Sequence, residues 1–527
     1  MTQPLRAAAI LSLAILLSRL IGLLQLSIVS GVMTPTETDA YTAAFRITDF
    51  VNYLVAGGAL SATFIPIFTQ LKQTRSEDEA WRFFSAIASI MSIVLLIILG
   101  TVFLFLKPIA AFCTPYTGDK LALTVQMTRI MLPAQAFFYM GGMIVGVLNA
   151  HKRFGAAGLT SSIYNLVALS VGIAAWQMMG RNALGFAWGI LVGAFAGNFL
   201  LPLGAALVGP REERLRFRFL FEPHLPSVKN FFRNALPIML GVSFPVVDQI
   251  VMPYFTGHLA DGTLNQLNIA NRVMVAPLAM LAQAASVAAF PFLAGDSANQ
   301  KWGSFADFIR SGLRRLMFVA LPASTLLILL AQPIIIILFR HGKFTNLAAY
   351  HSSVAFAFYC VGMFAWAGQQ LVARGLYALQ DTVTPTIIGS VITVFVFLPL
   401  CWLAAHSSNP ILNLALVTSV GASIHFGSVL IALEKKLAKP PYRIALNSKR
   451  VLGTLLRTLT ACSLMGVAGL LAKFAGERFL PDNFVGALAH ILLISTVAII
   501  AFIAAAQRFR IPEWQWLRGK ILRRKRT

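Results

Sequence analysis

The chain has 527 residues, 57% of them hydrophobic and 12% charged, and its 43 Lys and Arg outnumber its 19 Asp and Glu to give a net charge of +24. Soluble domains carry about a quarter charged residues, so this composition, with a mean hydropathy of +0.75, excludes an ordinary soluble fold. Apolar runs longer than the ~20 residues that span a bilayer must be helical, because lipid offers the backbone no hydrogen-bond partners. The basic excess is then a topology signal and an attraction to anionic phospholipids. No base-stacking motif accompanies it, so nucleic acid is not an expected partner. The four cysteines (Cys113, Cys360, Cys401 and Cys462) form no CxxC pair, and neither a zinc site nor a disulfide framework is predicted.

Fourteen spans follow in chain order, near 8–32, 39–70, 83–112, 123–149, 157–179, 184–208, 230–256, 263–294, 309–339, 346–376, 383–405, 410–433, 451–473 and 484–507. The first lacks a convincing cleavage site and reads as a retained helix, not a signal peptide. The second and eighth contain Gly or Pro and are expected to be broken. With the N-terminus inside, the loops assigned to the cytoplasm collect 31 Lys and Arg, and those assigned outside collect eight. One span more or fewer would scramble that partition, so both termini are predicted to be cytoplasmic. The linker between the sixth and seventh spans (GPREERLRFRFLFEPHLPSVKN) and the tail RGKILRRKRT are basic and are expected to lie along the membrane surface.

The chain also repeats itself. Arg46 aligns with Arg272, Ser61 with Ser286, Pro66 with Pro291, Pro108 with Pro333, and GVLNA at 146–150 with GLYA at 375–378, at offsets of 226, 225, 225, 225 and 228 residues. The unit is six spans. An even number enters the membrane from the same side each time, which gives parallel repeats, an arrangement used by transporters. The predicted organisation is a six-helix lobe over 1–208, an amphipathic linker over 209–229, a second lobe over 230–436, two further helices over 437–508 and a basic tail over 509–527. A substrate path is expected between the lobes.

Charges within the spans carry the chemistry. Arg19, Arg46 and Arg272 lie in the helices that open the lobes, where a charge costs several kcal/mol unless it meets a partner or water. Guanidinium forks suit phosphate oxygens, so these three are candidate anion ligands; the alternative is structural pairing, with Asp39 and Asp49 in reach of Arg46. Arg457 lies near a helix end and reads as snorkelling. Asp248 and Asp381 are candidate cation-site residues; a structural role is the alternative for Asp248, and a helix N-cap ahead of Pro385 is the favoured alternative for Asp381. His406, His425 and His490 are isolated and read as packing residues. There is no P-loop, no Ser/His/Asp set and no HExxH, so no enzymatic activity is expected.

The motifs SRLIG at 18–22, TDAYTAAFR at 38–46, GALSATFIPIF at 58–68, LNAHKRF at 148–154, LGVS at 240–243, HGKFT at 341–345 and YALQDTVTP at 377–385 resemble the MurJ/MviN lipid II flippase family of the multidrug/oligosaccharidyl-lipid/polysaccharide exporter superfamily. The resemblance implies alternating access, a lipid II headgroup bound in a central cavity, and membrane potential or Na⁺ as driving force. By motif it places Ser18, Arg19, Asp39, Arg46 and Arg272 at the substrate, with Asp248 and Asp381 at a cation site. The chain departs from the family where basic or acidic residues are common: Gln25, Leu26, Asn52, Tyr53, Gly57 and Val275. Flipping of another polyprenyl-pyrophosphate-linked saccharide, and cation-coupled multidrug antiport, are the alternatives; the second calls for an acidic cavity.

Overall fold

The computed structural model describes residues 3–56, 63–151, 153–208, 214–240, 251–280, 284–381, 383–479, 484–516 and 518, and among them there is no strand. The chain separates into two compact units, Met1–Asn265 and Gln266–Thr527.

The first unit begins with α1 (Gln3–Val32), α2 (Pro35–Ala56) and α3 (Ile65–Thr74). The start of α2 is written locally: Pro35 takes the first helical position, where its missing N–H costs nothing. Thr34 accepts from the Glu37 amide at 3.3 Å while Glu37 accepts from the Thr34 amide at 2.7 Å, a reciprocal capping box. The long span α4 (Glu77–Leu104) starts the same way. Ser76 accepts from the Glu79 amide, and Glu77, Asp78 and Glu79 set three acids against the positive end of the helix dipole. A short helix, α5 (Leu106–Cys113), follows a break at Phe105, so the span expected as continuous over 83–112 is two pieces.

The unit continues with α6 (Gly118–Met131), α7 (Ala134–Ala150), α8 (Phe154–Met178), α9 (Leu184–Leu207) and α10 (Pro226–Leu240). In α9 the segment Ala194–Leu200 widens into a π-helix just ahead of Pro202, where the proline ring and missing donor disturb the ordinary ladder. Gly185, Gly189, Gly193 and Gly197 line one face of α9 one turn apart. A side chain at any of them would strike α8, chiefly its backbone. Small residues at this spacing let two membrane helices approach closely enough for dispersion to hold them. The core of the unit is aromatic, with Phe64, Phe68, Trp81, Phe83, Phe84, Tyr139 and Phe231 in one buried cluster.

The second unit runs through α11 (Thr263–Leu278), whose first residues belong to the first unit, then α12 (Ala284–Ala298), α13 (Trp302–Leu329), α14 (Ala331–Phe339), α15 (Asn346–Val361), α16 (Met363–Ala378), α17 (Val383–Ala405), α18 (Pro410–Ala438), α19 (Ser448–Phe479) and α20 (Phe484–Arg508). The repeat is visible in element lengths: α13 starts and ends 225 residues after α4 (77 to 302, 104 to 329), and α14, like α5, follows a one-residue break. Between α15 and α16 the chain bends by 43°. Gly362 stands there because a Cβ would sit 2.7 Å from Ser419, whose hydroxyl accepts from the Gly362 amide at 3.1 Å. The two helices beyond the repeat pack on α13 through Phe318, Leu321, Met465, Ile494 and Phe502.

Among the described residues nine helices are long and apolar enough to cross a membrane, or ten if α15 and α16 form one bent span. These ten fall on ten of the fourteen expected spans. Of the other four (8–32, 39–70, 230–256 and 263–294), the last three run partly outside the described residues. Large apolar side chains such as Leu96, Phe112 and Leu471 are more than 60% exposed, as lipid-facing residues are when hydrocarbon surrounds them.

Candidate functional site

The expected site residues fall into three settings. On α1, Ser18 is half-buried and Arg19 exposed. Asn165 of α8 donates through one amide nitrogen to the Ser18 carbonyl at 3.0 Å and to its hydroxyl at 3.1 Å. The carbonyl that receives this bond already lies in the α1 ladder, so Asn165 fixes the rotation of α1 at the turn carrying Arg19. Sequence reasoning missed Asn165, because the two residues are 147 positions apart.

On α2, the carboxylate of Asp39 is 1% exposed, and both its oxygens accept bonds from protein donors. Lys120 of α6 reaches one oxygen at 3.0 Å. The amides of Gly262 and Asn265 donate at 2.8 and 3.0 Å. These amides open α11 and have no acceptor within their own helix, so Asp39 caps a helix more than two hundred residues away in sequence. Gly262 presents its amide from a backbone with φ of +91°, a conformation that glycine adopts without strain.

Lys120 continues to Asp261 at 2.7 Å, and Thr36 donates to the same carboxylate at 2.5 Å. The Lys120 bond, then the Thr36 bond, hold the Asp261 carboxyl below its ordinary range against a smaller opposing effect of burial. The Lys120 ammonium also lies 4.1 Å from the centre of the Tyr116 ring. Tyr116 is within electrostatic reach of Asp39, Asp261 and Arg46, which places the half-buried Arg46 in the same neighbourhood. Asp39 was expected at the substrate or, alternatively, as a partner for Arg46; it forms an ion pair with Lys120, which the charge partition had counted only as an outer loop residue. Where a lysine and two aspartates alternate in this way, each charge offsets the desolvation of the next.

The third setting is in the second unit. Arg272 is exposed on α11. Asp381 stands in the turn between α16 and α17 and accepts from the Thr384 amide at 2.9 Å and the Thr384 hydroxyl at 2.7 Å. This is N-cap geometry. Lys436 of α18 donates to the same carboxylate at 2.5 Å. Partial burial raises the carboxyl's pKa, but the Lys436 and Thr384 bonds outweigh it and keep it below the usual range. Thr384 and Lys436 together reach both carboxylate oxygens. Asp248 lies outside the described residues. Among the described residues no three His, Cys, Asp or Glu side chains converge as metal donors do.

Residues 32–494 match the family model for the lipid II flippase MurJ. The probable lipid II flippase MurJ of Bdellovibrio bacteriovorus is 27% identical over 397 residues, covering 74% of this chain and 74% of that protein. The lipid II flippase MurJ of Burkholderia cenocepacia is 25% identical over 433 residues, covering 80% and 82%. A solved lipid II flippase MurJ in an inward closed conformation superposes with a TM-score of 0.75 at 21% identity, over 94% of this chain and 99% of that one. An inward-facing multidrug resistance MATE family transporter of the MOP superfamily superposes at 0.67 with 13% identity, over 80% and 96%. At these identities the two solved structures speak to the fold, which is that of a multi-pass helical transporter. The family match covers well over half of the sequence, and the chain belongs to the lipid II flippase MurJ family.

Proposed function

We propose that this protein is a lipid II flippase, carrying the lipid-linked peptidoglycan precursor from the cytoplasmic to the periplasmic leaflet of a bacterial inner membrane by alternating access. The observation that carries this reading is the family match over residues 32–494. It falls on a chain whose opening helices hold Arg46 and Arg272, with Arg19 just ahead of the matched region. In this reading each of these guanidinium groups is a candidate ligand for pyrophosphate oxygens, through paired charge-assisted bonds. Ser18, held by Asn165, presents a hydroxyl to the headgroup. Asp39 acts on the substrate indirectly, by fixing the start of the helix that carries Arg272. The reading assigns no catalytic residue and no nucleic acid partner.

Both termini are taken to be cytoplasmic, from the partition of basic residues. Driving force comes from membrane potential, with Na⁺ as a second source acting at Asp248 or Asp381. An anionic headgroup leaving a negative interior runs with the field, at about 2.3 kcal/mol per charge per 100 mV.

The test is complementation of a flippase-depleted bacterium. The wild-type chain should restore growth. Arg272→Ala should fail while reaching the membrane at wild-type level. Full growth with Arg272→Ala would overturn its assignment to the substrate.

The departures at Gln25, Leu26, Asn52, Tyr53 and Val275 favour a second reading, in which the cargo is another polyprenyl-pyrophosphate-linked saccharide. Native mass spectrometry of the purified protein with lipid II and with competing polyprenyl pyrophosphates separates the two. Basic residues in the opening helices argue against a cationic drug as cargo.

A further inference from the structure

The linker ahead of α10 has a defined course along α4. Residues 215–222 form no helix and lie along the first three turns of α4. The Ser85 hydroxyl donates to the Arg216 carbonyl at 3.5 Å and accepts from the Arg218 amide at 3.2 Å, and the Ser89 hydroxyl accepts from the Leu220 amide at 3.1 Å. The spacing matches. Four helical residues rise ~6 Å, and two residues of extended chain advance ~6.6 Å, so successive serines meet alternate backbone groups.

Ion pairs pin both ends: Arg216 to Asp78 at 2.9 Å, and Arg82 to both Glu222 oxygens at 2.8 Å. The Arg82 guanidinium keeps the Glu222 carboxyl below its ordinary range, so Glu222 is charged near neutral pH. With its backbone turned to α4, the strap presents Phe217, Phe219 and Phe221 at 50%, 68% and 62% exposure, and Arg214 and Arg218 are exposed among them.

An aqueous surface is a poor place for three neighbouring exposed phenylalanines. A leaflet boundary is a good one: aromatic rings settle at headgroup depth, and interleaved arginines meet lipid phosphate. The strap sits at the end of α4 that the charge partition assigns to the cytoplasm, beside a span whose exposed side chains Leu96, Ile97 and Leu104 face hydrocarbon. We propose that residues 214–222 are an interfacial strap that binds the anionic phospholipids of the cytoplasmic leaflet and fixes the depth of α4 in the membrane. The proposal requires only that α4 spans the bilayer, and it stands or falls independently of the cargo.

The test places a spin label on Phe219→Cys in a Cys113→Ser background, the other three cysteines being buried. The protein is reconstituted in vesicles of phosphatidylcholine alone, or of equal parts phosphatidylcholine and phosphatidylglycerol. The label's accessibility to oxygen relative to a water-soluble nickel chelate should rise about two-fold with the anionic lipid and fall back at high salt. Arg214→Gln with Arg218→Gln should remove the rise. Equal accessibility in both vesicles would overturn the proposal. So would a label that stays aqueous in both and is shielded only by added cytosolic extract, which would assign the strap to a protein partner. The salt arm uses the labelled chain with both arginines intact, so a folding defect in the double variant cannot decide the result.

Discussion

Asp39 and Asp381 do the same two things with different reach. Each carboxylate caps the start of a helix, and each takes a lysine from another helix. Asp381 caps the helix that follows it, using Thr384 three residues on, and its partner Lys436 has a side chain 31% exposed. Asp39 caps α11 from across the fold, and its partner Lys120 is 12% exposed. The first arrangement is a local turn reinforced by a charge at the rim. The second is a buried tie joining α2, α6 and the start of α11. Buried charges are costly to separate, whereas a partly exposed pair contributes little.

That contrast orders the expected effects. Asp39→Ala leaves Lys120 with Asp261 as its remaining carboxylate and two helix-opening amides without an acceptor; it should cost about 3–5 kcal/mol, read as the largest fall in thermal denaturation midpoint among these variants. Lys120→Met should cost less, because the Gly262 and Asn265 amides still serve the carboxylate. Asp381→Ala loses a cap and should cost about 1–2 kcal/mol, whereas Asp381→Asn keeps a capping oxygen and should lose only a fraction of that.

Salt separates the two aspartates again. At 1 M ionic strength the screening length is about 3 Å. The difference between wild type and Lys436→Met should shrink there, and that between wild type and Lys120→Met should persist. If both differences shrink together, the Asp39 tie is not shielded from water.

Acid gives a further comparison. The Asp381 carboxyl is held below its unfolded value, so its contribution is full above the unfolded pKa and is lost as pH falls through the folded one. A pH series should therefore show the wild-type advantage over Asp381→Ala declining on the acid side. An advantage that grew on acidification would contradict the ion pair. A small effect is expected at Asn165→Ala, about 1 kcal/mol for the bonds to Ser18, with its clearer readout in complementation.

The same division explains what could be read in the chain beforehand. Ten of the expected spans coincide with described helices because length and hydropathy suffice to define a membrane helix. The Asp381 cap was legible because its acceptor and donor are three residues apart. The Asp39 tie was not, since Lys120 and Asn265 lie 81 and 226 residues from it and no local pattern connects them. The breaks at Phe105 and Leu330 escaped too: the expected spans run straight through Lys107–Pro108 and Gln332–Pro333, and hydropathy averaged over a span does not register a one-residue break. The bend at Gly362 depends on the close approach of Ser419, which only the packed helices show.

The glycine face of α9 has a mechanical consequence. With no side chains between their axes at Gly185, Gly189, Gly193 and Gly197, α8 and α9 have nothing to slide on and cannot part without losing their whole contact. The two helices should therefore move as one piece in a conformational cycle. A covalent staple between these two helices should leave turnover intact.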